Sequence, residues 1–115
     1  MDIEMLDETE IIIIITEIEN YISLVKPDIN EFEFNEEFEH EEILQLIENH
    51  NNIYNQLMIY LGYLERIIKP YEGRDKKNMY GKKVNELYRL RTKINAIHHD
   101  NNKIINHLNE KWAEM

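Results

Sequence analysis

The chain has no cysteine, two prolines, three glycines and a single serine, Ser23, in 115 residues. Each scarcity removes a class of protein. Without cysteine there is no disulfide framework, no thiol nucleophile and no zinc–thiolate centre, and a reducing compartment suits the chain. Three isolated glycines, Gly62, Gly73 and Gly81, cannot form a phosphate-cradling loop. One serine with no neighbouring base excludes the usual serine nucleophile. The only long apolar run, Ile11 to Ile15, is far shorter than the roughly 20 residues that span a bilayer. Acids stand at the start, MDIEMLDETE, where a secretory signal needs a basic region, so the expected location is the cytoplasm or nucleus rather than outside the cell.

What is present is helical and unevenly charged. Hydrophobic residues make up 43% of the chain and charged residues 31%, which with so few breakers indicates one domain of long helices. Residues 1–50 hold sixteen Asp/Glu and one base, Lys26, a net of −15. The remaining residues are net +5, giving −10 in all. Such asymmetry points to electrostatic contact with a partner or head-to-tail self-contact.

Lys26-Pro27 and Lys69-Pro70 divide the chain, because the residue before a proline is biased away from helix and the ring cannot continue one. Ile11, Ile14, Ile15, Ile18, Tyr21, Ile22 and Val25 recur at helical spacing and predict a first helix over about 6–25. A buried strand at Ile11–Ile15 is the competing reading, since five consecutive β-branched residues favour sheet. As a helix, that run is apolar on more than one face and leaves surplus isoleucines for a partner or a second copy.

Residues 27–35 read as an extended acidic connector, with Asn35 as N-cap and Glu36, Glu37 and Glu39 in the first turn of the next helix. That second helix is expected over about 36–68. Its apolar seam is Ile43, Ile47, His50, Tyr54, Leu57, Leu61, Leu64 and Ile68, alternating by four and three. A basic turn follows over 69–77, then a third helix over about 77–113 carrying Val84, Leu87, Leu90, Ile94, Ile97, Ile104, Leu108 and Trp112. The expected fold is all-α, a three-helix bundle dominated by a long antiparallel helical hairpin, with the acidic connector between helices one and two.

The strongest candidate site is that connector and the turn after it. Asp28, Glu31, Glu33, Glu36, Glu37, Glu39, Glu41 and Glu42 include no base among them, and Phe32, Phe34 and Phe38 are interleaved. Aromatic anchors among carboxylates suit docking on a basic, partly apolar protein surface. The competing structural role is that the phenylalanines cap the core while the acids are merely solvated. Spaced carboxylates can also imitate DNA phosphates on another protein. A second cluster, Lys69, Arg74, Lys76, Lys77, Lys82 and Lys83 around Tyr71 and Tyr80, is expected at the opposite pole, where acidic-to-basic contact between copies would give a homodimer or stack. A net charge of −10 disfavours direct nucleic-acid binding.

Pairing Ile68 with Tyr80 sets His50 across from His98, with His99 and Asp100 following and Asn101 near Ile47. Two imidazoles and a carboxylate can hold a divalent metal, but the spacing is generic, and a polar layer that fixes helix register is the expected role. No metal or cofactor is therefore expected. Arg91 and His98, in Arg-Thr-Lys-Ile-Asn-Ala-Ile-His, resemble the Arg-x(4–6)-His motif of HEPN-type helical ribonucleases. That resemblance covers eight residues. It implies an arginine and a histidine assisting 2′-hydroxyl attack on RNA, in a larger helical bundle than three helices provide.

The function these features favour is non-enzymatic: an acidic inhibitor or adaptor docking on a basic protein surface, a role common among small phage and viral proteins that act on nucleic-acid machinery. A self-assembling structural protein is the first alternative and an RNA-cleaving Arg91/His98 pair the second.

Overall fold

The apolar periodicity is realised as helix throughout. The computed structural model describes residues 8–71 and 81–115 and contains, among them, three α-helices and no strand: α1 over Glu8–Asn30, α2 over His40–Ile68, and α3 over Gly81–Glu114, with a short 3₁₀ turn at Lys69–Tyr71. Ile11–Ile15 is thus helix, not strand. The starts expected near residues 6 and 77, and the basic turn beyond Tyr71, lie outside the described residues.

The core is built from one stripe of each helix. Ile11, Ile15, Ile18, Ile22, Val25 and Ile29 of α1 are buried together with Leu57, Leu64 and Ile68 of α2 and Leu87, Leu90, Ile94, Ile104 and Leu108 of α3. The four-three alternation on α2 forms the seam toward α3. A second stripe, Ile53 and Ile67, is also buried. Cross-helix pairs between α2 and α3 are His40 with Trp112, His50 with Asn101, Tyr54 with His98, and Glu65 with Arg91. Helix α1 packs along α3 and meets α2 through an edge-on Tyr21–Tyr60 contact, ring centres 5.5 Å apart.

Two helix ends differ from expectation, and both differences have packing causes. Helix α1 does not stop at Val25 but runs through Pro27 to Asn30. Ile29 extends the buried stripe one turn further, and Glu31 N–H still donates to the Pro27 carbonyl at 2.9 Å. The ring removes the bond to the Ser23 carbonyl, but Ser23 is exposed and water can serve that carbonyl. Pro27→Ala restores the bond and is expected to raise stability by about 1–2 kcal/mol, less than the ~3 kcal/mol of a fully buried helix proline because only three helical residues follow. Urea unfolding monitored by circular dichroism reads this directly.

Helix α2 begins at His40, not at residue 36, and its N-cap is Glu39, not Asn35. The acids of its first turn are therefore Glu41 and Glu42, and the Glu42 carboxylate accepts the Glu39 N–H at 3.4 Å, the reciprocal arm of a capping box. An extra turn over 36–39 would present mainly exposed glutamates. The extended chain instead allows Phe32, Phe34 and Phe38 to pack on one another.

The α1–α2 contact also sets an alkaline limit. Burial, then the neighbouring Tyr60, raises the Tyr21 hydroxyl above its usual 10.0. Burial, then the Glu17 charge and hydrogen bond, raises Tyr60, with a smaller opposing effect from Gln56. A raised folded-state value contributes stability that is complete below pH 10.0 and is lost as pH rises through the raised values. The unfolding midpoint should fall as pH rises above that point, with a shallower fall in Tyr60→Phe.

Candidate interaction site

The 31–39 segment lies against α2 and α3, and aromatic and imidazole rings hold it there. Phe32 is the centre. Its ring lies 5.0 Å from Phe34, 6.0 Å from Phe38, 5.9 Å from His50 and 6.0 Å from His107. Phe34 stands edge-on to His107 at 5.1 Å. At the start of α2, His40 stacks flat on Trp112 of α3 at 4.0 Å. Edge-to-face and offset ring pairs each add about 0.5–1.5 kcal/mol beyond area burial, so this cluster fixes the connector's path.

Beneath Phe32 lies the one buried polar pair joining α2 to α3 among the described residues. His50 and Asn101 are both buried. His50 Nδ1 and Asn101 Oδ1 are 2.8 Å apart, and Asn101 Nδ2 donates to the His50 carbonyl at 3.0 Å. With the amide so oriented, Nδ1 carries the proton and donates. The partner of His50 is therefore Asn101, not His98. The register is displaced by three residues, close to one helical turn, from the expected pairing, because Asn101 satisfies both the imidazole and a backbone carbonyl. His98 packs instead on Tyr54, ring centres 5.0 Å apart, and its Nε2 is 3.3 Å from Asn102 Nδ2. His99 and Asp100 are exposed. No group of three or more potential metal ligands occurs among the described residues.

Around this ring cluster the charges point outward. Asp28, Glu31, Glu33, Glu36, Glu37, Glu39, Glu41 and Glu42 are all exposed, and none forms an ion pair with a described base. Phe32 and Phe38 are half-buried, while Phe34 retains 43% of its surface. The phenylalanines thus divide: Phe32 and Phe38 are half-buried in the ring cluster, and Phe34 is the most exposed of the three. The sequence signal for the division was available in His50, which occupies an apolar position on the α2 seam, and in His107 and Trp112, which flank the buried Leu108 on α3. Histidines at core positions mark where a polar or aromatic cover is needed.

Arg91 and His98 are seven residues apart on α3, about 10 Å along its axis. The Arg91 guanidinium is engaged by Glu65, at 3.2 and 3.3 Å, and lies 4.9 Å from the centre of the Tyr88 ring. Of the basic cluster, Lys69 is exposed, and the side chains of the other members fall outside the described residues. No described helix is long and apolar enough to cross a membrane.

The class defined by these features is an all-α protein carrying an exposed acidic segment anchored by a cluster of aromatic and imidazole rings. No family model, no curated protein and no solved structure matches the chain.

Proposed function

We propose that the chain is a non-enzymatic interaction module, an acidic inhibitor or adaptor whose Asp28–Glu42 segment docks on a basic surface of a protein partner in the cytoplasm or nucleus. The frame is a three-helix bundle dominated by an antiparallel α2–α3 hairpin. That arrangement is supported by the cross-helix pairs, in which residue numbers rise on α2 as they fall on α3. One observation carries the functional reading: eight exposed carboxylates without ion-pair partners among the described bases sit on a segment pinned by the Phe32 cluster. Unneutralised charge held in a defined path costs the folded state repulsion, and it suits a surface preorganised for a cationic partner. Affinity capture from host extract with the wild-type chain and with a variant carrying Lys at Glu36, Glu37, Glu39, Glu41 and Glu42 tests it. A basic protein retained only by the wild type is the expected result, and equal retention by both sinks the reading.

Self-assembly is the second reading, favoured by apolar side chains left uncovered. Ile13 is 60%, Leu24 72% and Ile59 62% exposed. It predicts a concentration-dependent increase of mass in sedimentation that Ile13→Ser with Leu24→Ser removes.

A further inference from the structure

We propose that the groove between the 34–38 segment and the end of α3 receives an arginine- or lysine-bearing apolar segment of the partner. This rests on the docking reading and narrows it to one pocket and one ligand chemistry. The groove has a volume of about 500 Å³, with Phe34, Phe38 and Met115 among its apolar lining and Glu36 and Glu37 at its acidic side.

Three features select the occupant. The first is charge. Glu36 and Glu37 are exposed and have no ion-pair partner among the described residues. The one base lining the groove, Lys111, is already 3.9 Å from Glu114. The groove is therefore short of positive charge, and a cation entering it meets two carboxylates. The second is apolar surface. Phe34 is 43% and Met115 61% exposed, so a purely hydrophilic cation leaves the walls wet, whereas an aliphatic stem or an adjacent leucine covers them. The third is His107. It lines the groove, its ring lies under Phe34, and its Nε2 is buried with no hydrogen-bond partner. Buried nitrogens are ordinarily satisfied. In the tautomer protonated at Nδ1, this nitrogen is a vacant acceptor, and a guanidinium or ammonium is the kind of donor it lacks. The same carboxylates that attract such a segment repel phosphate, so the groove suits a basic peptide rather than nucleic acid.

A nuclear magnetic resonance titration of the intact chain tests this. The probes are a blocked tetrapeptide alternating arginine with leucine, and its arginine–glycine counterpart of equal charge. The leucine peptide should saturate with shifts concentrated at Phe34, Glu36, Glu37, His107 and the Met115 methyl. It should bind roughly tenfold more tightly than the glycine peptide, as burial of one apolar side chain implies. Phe34→Ala should abolish the difference between the peptides, and Glu36→Gln with Glu37→Gln should weaken both, with helicity unchanged. Equal binding of the two peptides, with shifts spread over residues 28–42, overturns the groove and leaves the wider acidic surface standing. Shifts at Phe34 that depend on protein concentration without peptide also overturn it, because a second copy then fills the groove. No shift anywhere in 28–42 with either peptide removes both the groove and the docking reading.

Discussion

Reversing Glu33, Glu36 and Glu37 to Lys weakens partner binding by at least about tenfold, while reversing Glu19, Glu48 and Glu110 to Lys leaves it nearly unchanged. Both variants shift net charge from −10 to −4, each substitution adding two, so only the position of the change differs. All six residues are exposed and none has an ion-pair partner among the described residues, so neither set removes an internal contact that the fold needs. The expected effect is mainly on association rate, because steering by a localised charged pole accelerates encounter by ~10- to 1000-fold and weakens as salt rises. Surface plasmon resonance with the captured partner at two ionic strengths gives both rates. An equal loss in the two variants assigns binding to overall charge. No loss in either assigns it to another surface.

The second large effect is on stability. Asn101→Leu should lower the unfolding free energy by about 2–4 kcal/mol, roughly 10 °C in midpoint temperature, because it strands the His50 Nδ1–H in a buried site and removes the second hydrogen bond to the His50 carbonyl. His50→Leu combined with Asn101→Leu should recover much of that loss, since no polar group is then left unpaired. The double variant keeps an apolar seam but loses the one buried feature joining residue 50 to residue 101. It is expected to sample shifted α2–α3 registers, visible as extra amide peaks in a ¹H–¹⁵N spectrum. A double-mutant cycle with the two single variants isolates the coupling. Additive losses in the cycle show that the pair does not act as a unit.

How far the sequence disclosed this arrangement depends on the kind of signal. The helical stripes were legible because burial follows a 3.6-residue period: all eight seam residues of α2, from Ile43 to Ile68, are buried or half-buried. The surplus isoleucines were legible too, since a five-residue run must turn Ile12 and Ile13 outward when Ile11 and Ile15 face the core. Less visible were the effects that depend on tertiary packing. Pro27 reads as a helix end, and only the burial of Ile29 shows why the helix continues. Asn35 reads as an N-cap, and only the packing of Phe32 on His50 and His107 explains why the chain stays extended to Glu39. The exposed acids of Asp28–Glu42 follow from composition. The different exposure of the three phenylalanines does not, because it is set by His50 and His107, which pack on Phe32 from 18 and 75 positions further along the chain.

Hydrogen–deuterium exchange of the chain, free and in complex with the captured partner, tests the docking claim most directly. Residues 31–42 and the end of α3 near His107 should gain protection in the complex, with the exposed face of α1 around Ile13 and Leu24 unchanged. Protection confined to that α1 face, with 31–42 exchanging as fast as in the free chain, would contradict the account.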